Sequence, residues 1–160
     1  MIALKTLLFL IVVPGNVLFL IPYQIVATVD RSAQPFSAGR DVALILWLVG
    51  GVGILWCAKD FVFNGQGTPA PLDPPKELVV VGLYRYVHNP MYVGVVLVLL
   101  GHFLWFQTWW LLVYASGVLL GFHGFVIFYE EPALRQRFGE AAKRYAQTVP
   151  RWIPRLRRSS

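Results

Sequence analysis

Two short polar stretches interrupt an otherwise apolar chain, and both carry side chains able to do chemistry. The first is Gly82-Leu83-Tyr84-Arg85-Tyr86-Val87-His88-Asn89-Pro90-Met91-Tyr92, and the second is Tyr129-Glu130-Glu131-Pro132. The first offers phenol rings, a guanidinium, an amide and an imidazole. Of these, only His88 titrates near neutrality, which suits it to accept a proton. The second offers adjacent carboxylates. Read as the C-terminal end of a helix, Glu130 would oppose the helix dipole, so a ligand ammonium or a nearby Arg is expected beside it. Asn89-Pro90 also reads as a helix start, with Asn at the N-cap and Pro in the first turn.

The segment between the two stretches explains how they could meet. Residues 89–129 contain no Asp, Glu, Lys or Arg, and 41 such residues are enough for two helices and a tight turn. The turn is expected near Trp105-Phe106-Gln107-Thr108-Trp109-Trp110, whose three tryptophans resemble an interfacial aromatic belt. An antiparallel hairpin brings its ends together, so Arg85, His88, Asn89 and Tyr92 should lie near Glu130 and Glu131. Two further helices are expected upstream, at about residues 4–29 and 42–57. Pro14 and Pro22 should bend the first, with Asn16 satisfying a freed backbone group. Gly50, Gly51 and Gly53 should let a neighbour approach the second closely, and Gly117 and Gly121 form a small-xxx-small pair in the last helix.

Composition agrees with a membrane location. The chain is 57% hydrophobic and 14% charged, against about 45–50% and about 25% in soluble domains. The charge-free stretch at residues 6–29 exceeds the about 7–15 apolar residues of a signal peptide, so it is read as a retained helix. The net charge is +6, and eight of the fourteen Lys and Arg follow Glu131. Placing both termini in the cytoplasm puts twelve basic residues inside and only Arg31 and Arg40 outside. A basic tail after an apolar hairpin marks that face rather than a nucleic-acid partner. Cys57 stands alone, so neither a disulfide nor a CxxC metal pair is expected.

The expected organisation is one membrane domain. Two N-terminal helices (1–58) are followed by a Pro- and Gly-rich cytoplasmic loop (59–87), the hairpin (88–129) and a basic tail (130–160). Leu134, Phe138, Tyr145 and Val149 suggest an amphipathic interfacial helix in that tail, ending at Pro150.

The pattern Gly82-x-Tyr84-Arg85-x-x-His88-Asn89-Pro90-x-Tyr92-x-Gly94 is followed by Glu130-Glu131-x-x-Leu134-x-x-x-Phe138-Gly139 and then by Tyr145, Val149, Pro150 and Pro154. In this order it resembles the membrane methyltransferases, the isoprenylcysteine carboxyl methyltransferase and phospholipid N-methyltransferase group, over about residues 76–154. The resemblance implies an all-α polytopic membrane fold of about four transmembrane helices. In it, the hairpin and the C-terminal interfacial helix form the cofactor site. It implies S-adenosylmethionine as methyl donor and a lipid or lipidated acceptor, with a bacterial inner membrane as the expected location. By position, the cofactor contacts fall on Lys76, Glu77, Leu78, Val79, Tyr84, Asn89, Pro90, Met91, Tyr92 and Glu130. The catalytic candidates are His88 and Arg85, and no metal is expected. An aromatic face suits a sulfonium through cation–π attraction.

Two departures bear on the acceptor. The family commonly reads Arg-His-Pro where this chain has His88-Asn89-Pro90, and Val126 stands where the carboxyl methyltransferases carry an Arg. The acceptor is therefore open. A non-catalytic membrane subunit or scaffold with the same fold is the alternative reading, and no inverted repeat suggests a transporter.

Overall fold

The computed structural model describes residues 2–29, 37–65 and 76–154. Among them all regular structure is helical. Helix α1 (Ile2–Gly15) runs through a wide π turn (Asn16–Leu20) into α2 (Ile21–Thr28). Helix α3 spans Ser37–Phe63, and a 3₁₀ turn covers Gly82–Arg85. Helix α4 (Pro90–Phe106) is followed by α5 (Trp109–Phe125), a second π turn (Val126–Glu130), α6 (Glu131–Phe138) and α7 (Glu140–Thr148).

Three continuous helical stretches are long and apolar enough to cross a membrane: Ile2–Thr28, Gly39–Phe63 and Trp109–Phe138. The fourth expected crossing, α4, is apolar but has only 17 residues. Pro90 starts it, and Gln107 ends it in the left-handed region at φ 50°, where its N–H closes on the Phe103 carbonyl at 2.8 Å. Helix α3 is longer than the expected 42–57 at both ends, running from Ser37 to Phe63. The outer faces of the crossings carry exposed apolar side chains, including Leu48, Leu120 and Phe128, as a lipid-facing surface requires.

Both π turns have the same cause. Pro22 and Pro132 lack an N–H, and in a regular helix their rings would collide with the carbonyl four residues back. Widening the preceding turn relieves the clash. The Ile21 N–H then closes on the Asn16 carbonyl and the Glu131 N–H on the Val126 carbonyl, five residues back in each case. The first widening strands the Val17 carbonyl, and the Tyr114 hydroxyl donates to it at 3.0 Å. The Asn16 amide donates back to the Val12 carbonyl.

The core lies between α3 and α4, which run antiparallel. A Cβ on Gly50 would come within 2.6 Å of the Gly94 carbonyl, and one on Gly101 within 2.6 Å of the Trp47 ring and 3.1 Å of the Ala43 carbonyl. This contact bears out the expected close approach, but through Gly50 alone. Gly51 meets nothing within 4 Å, and Gly53 meets only Leu83, at 4.0 Å. Gly117 and Gly121 likewise face open space.

Candidate active site

The antiparallel register delivers the C-terminal end of α3 to the 3₁₀ turn before α4. Gly82 adopts φ +54°, and a Cβ there would stand 2.3 Å from the Asp60 carboxylate. Only glycine can both take this conformation and lie against α3. The turn buries Tyr84, whose ring meets Phe61 edge-on at 5.5 Å. Burial pushes the Tyr84 phenol well above its ordinary range, so it stays protonated. Before the turn, Lys76 and Glu77 are exposed, Leu78 is half-buried and Val79 joins the core. The Lys76 N–H donates to the Gly65 carbonyl at 2.9 Å, which brings the two ends of the 66–75 segment together. That Pro- and Gly-rich segment lies outside the described residues.

The first turn of α4 faces the second π turn. The Tyr92 hydroxyl donates to Glu130 Oε2 at 2.9 Å, and the Tyr92 ring stacks on Phe122 at 4.5 Å. Here the expected meeting of the hairpin's ends occurs at atomic contact. Glu130 does not end a helix, however. The π turn carries the chain on into α6, so the unfavourable dipole expected at Glu130 is absent, and Tyr92 is its described partner.

The remaining side chains gather under the tail. His88 is buried, meets Tyr145 edge-on at 4.5 Å, and its Nδ1 has no described partner. Burial lowers its pKa and Arg151 adds to this, while Glu131 acts the other way. The Tyr145 hydroxyl donates to the Tyr84 carbonyl at 2.7 Å, tying α7 to the 3₁₀ turn. Burial raises the Tyr145 pKa as well. A cavity of about 10 Å³ remains between His88, Glu131, Arg135 and Tyr145.

Beyond α7 the chain doubles back as a strap over the start of α4. The His88 N–H donates to the Pro150 carbonyl at 2.7 Å. The Asn89 N–H and side-chain amide both donate to the Arg151 carbonyl, at 3.3 and 3.1 Å. Arg151 grips Glu131 with two bonds, at 2.5 and 3.1 Å, and Trp152 donates to His123 at 3.2 Å. Asn89 therefore holds the N-cap position without capping. Its side chain is turned to the strap, and Pro90 alone fulfils the expected helix start.

Other expectations are corrected. Arg85 is exposed at the end of its turn, whereas His88 is buried. The single interfacial helix expected over the tail is two. Helix α6 prolongs the last crossing, Gly139 breaks the chain at φ +54°, and only α7 forms a separate amphipathic helix, burying Ala142 and Tyr145. Asp60, expected in the 59–87 loop, belongs to α3. Asp60 is buried on α3 with Oδ2 unpartnered among the described residues, and an acid following a long apolar run was the available signal. Phe122 and Arg151 carry no such signal, because their contacts depend on packing that no local pattern records.

A phospholipid methyltransferase family profile matches residues 40–141, more than half the chain. The protein belongs to the phospholipid methyltransferase family. The matched region runs from α3 to α7 and includes both the Gly82 turn and the Tyr92–Glu130 contact. No curated protein and no solved structure matches significantly. The family is one of methyltransferases, which supports an enzyme and implies a methyl donor.

Proposed function

We propose that the protein transfers a methyl group from S-adenosylmethionine to a lipid or lipid-linked acceptor at the cytoplasmic membrane surface. The observation that carries this reading is the Tyr92–Glu130 contact at 2.9 Å, set against the stacked Tyr92–Phe122 rings. The residues fit the donor. Tyr92 occupies one carboxylate oxygen of Glu130, and no described group donates to the other, which is free to accept from the methionine ammonium. The adjacent aromatic faces suit a sulfonium.

S-adenosylmethionine supplies an already activated methyl group, so orientation and exclusion of water are the main contributions asked of the protein. Glu130 binds the cationic end. Tyr92 orients Glu130 and is itself held by Phe122. Residues 76–79, the Tyr84 turn and Asn89 to Met91 form the remaining wall, with the 149–152 strap as cover. His88, whose pKa burial lowers, has a buried ring nitrogen without a described partner and is the candidate base for a proton from the acceptor. The basic tail and the short basic segments support a cytoplasmic position for this end through the positive-inside rule.

Calorimetric titration of the detergent-purified protein with S-adenosylhomocysteine tests the reading. Binding in the micromolar range is expected, and no heat at high micromolar ligand would overturn it. Glu130→Gln should weaken binding about 10-fold or more, the loss of one hydrogen bond to a charged group. Unchanged affinity would remove Glu130 from the site.

A further inference from the structure

Two cavities flank the first π turn, at the end of the molecule away from the proposed active site. One, of about 760 Å³, lies between Asn16, Phe19, Tyr23, His102 and Phe106. The other, of about 430 Å³, lies on the far side of the same turn, against Leu18, Trp47, Val98 and again His102. Both walls are chiefly apolar. His102 is twelve residues past Pro90, about 18 Å along α4 at 1.5 Å per residue.

Two hydrogen-bond acceptors stand in these walls. His102 is only 9% exposed, and its Nδ1 lies 2.8 Å from the Val98 carbonyl. A carbonyl can only accept, so Nδ1 carries the proton and Nε2 of the neutral ring presents a lone pair. No described group donates to Nε2. Asn16 gives one of its two amide N–H groups to the Val12 carbonyl, which leaves Oδ1 as an acceptor beside a second N–H at the larger cavity. Water compensates such atoms at a protein surface, whereas acyl chains cannot. Phospholipid acyl chains would fill the volume and leave both acceptors unpaired. The complementary occupant is a membrane-dissolved molecule with a long apolar body and one hydroxyl.

We propose that this groove is a binding site for an uncharged long-chain alcohol, whose hydroxyl donates to His102 Nε2 while its chain lies along the first π turn. The site is separate from the Tyr92–Glu130 centre and does not depend on the methyl-transfer reading.

Photolabelling of the full-length protein in nanodiscs tests it, using a diazirine-bearing C16 alcohol and its methyl ether. The two probes share a chain and differ in the O–H donor. The alcohol is expected to label residues 11–26 and 98–106 at least tenfold more than the ether. His102→Phe, which keeps a ring of similar size, should bring the alcohol down to the ether's level while S-adenosylhomocysteine binding stays unchanged. Equal labelling of the wild type by both probes would mean that the groove holds only chains, and would overturn the proposal. That comparison needs no variant, so it stands even if His102→Phe misfolds.

Discussion

At the scale of single residues, this protein places polar groups in apolar surroundings and partners most of them by reaching across the chain. Glu131 is held by Arg151, Glu130 by Tyr92, and the Tyr84 carbonyl by Tyr145. His88 is an exception, buried with Nδ1 unpartnered, and burial depresses its pKa. The consequence for pH has a definite sign. Below the ordinary histidine value of about 6.5, the unfolded chain binds a proton that the folded chain refuses. Stability is therefore full above that pH and declines as pH falls toward the lowered folded value. Thermal unfolding at pH 7.5 and 5.5 should show a loss for the wild type that is smaller in His88→Phe. Equal losses in both proteins would exclude His88 as the source. The sequence made His88, Tyr92 and Glu130 visible because their types are conspicuous in an apolar chain. It could not disclose that Asn89 serves the strap, since an Asn before a Pro reads as a cap whatever its side chain later finds.

At the scale of elements, the α3–α4 contact sets the geometry of everything at the site end. Gly50 and Gly94 bring the two backbones close, and the antiparallel register then brings Asp60 to Gly82. A methyl group at Gly50 meets the Gly94 carbonyl at 2.6 Å and Val98 at 2.8 Å, and a backbone atom cannot step aside. Gly50→Ala should cost about 1–3 kcal/mol, the usual range for overpacking. Gly117→Ala, with nothing within 4 Å, should cost nothing and can gain up to about 1 kcal/mol from helix propensity. Urea or thermal unfolding in one detergent would compare them, and equal effects would contradict the packing described. Both glycine sets satisfy the same small-residue rule in the sequence. Only the fold distinguishes the one that is used. The π turns were hidden for a related reason. Proline signals an interruption, but whether a helix ends or widens depends on what receives the stranded carbonyl, as Tyr114 does for Val17.

At the scale of the whole molecule, the two ends differ in character. One gathers the carboxylates, His88, the 3₁₀ turn and the strap. The other holds apolar cavities around the first π turn, with His102 between them. The membrane class and the hairpin were legible because hydropathy and charge are summed over many residues, and such sums tolerate local error. Helix ends were not, because each depends on one or two residues. Phe63, Gln107 and Gly139 set boundaries that composition alone does not mark.

The brevity of α4 has a consequence for the lipid itself. Seventeen residues at 1.5 Å each give about 25 Å, some 5 Å less than a typical hydrocarbon core of about 30 Å. Helix α4 is locked to the much longer α3 through Gly50 and Gly94, so it cannot slide to share the shortfall between its ends. Hydrophobic mismatch then falls on the bilayer, which must thin beside the Gln107–Thr108 turn. Acyl-chain length thus becomes a determinant of stability. The melting temperature should be higher in nanodiscs of C14 lipids than in those of C20 lipids, and the opposite order would show that α4 does not set the local thickness.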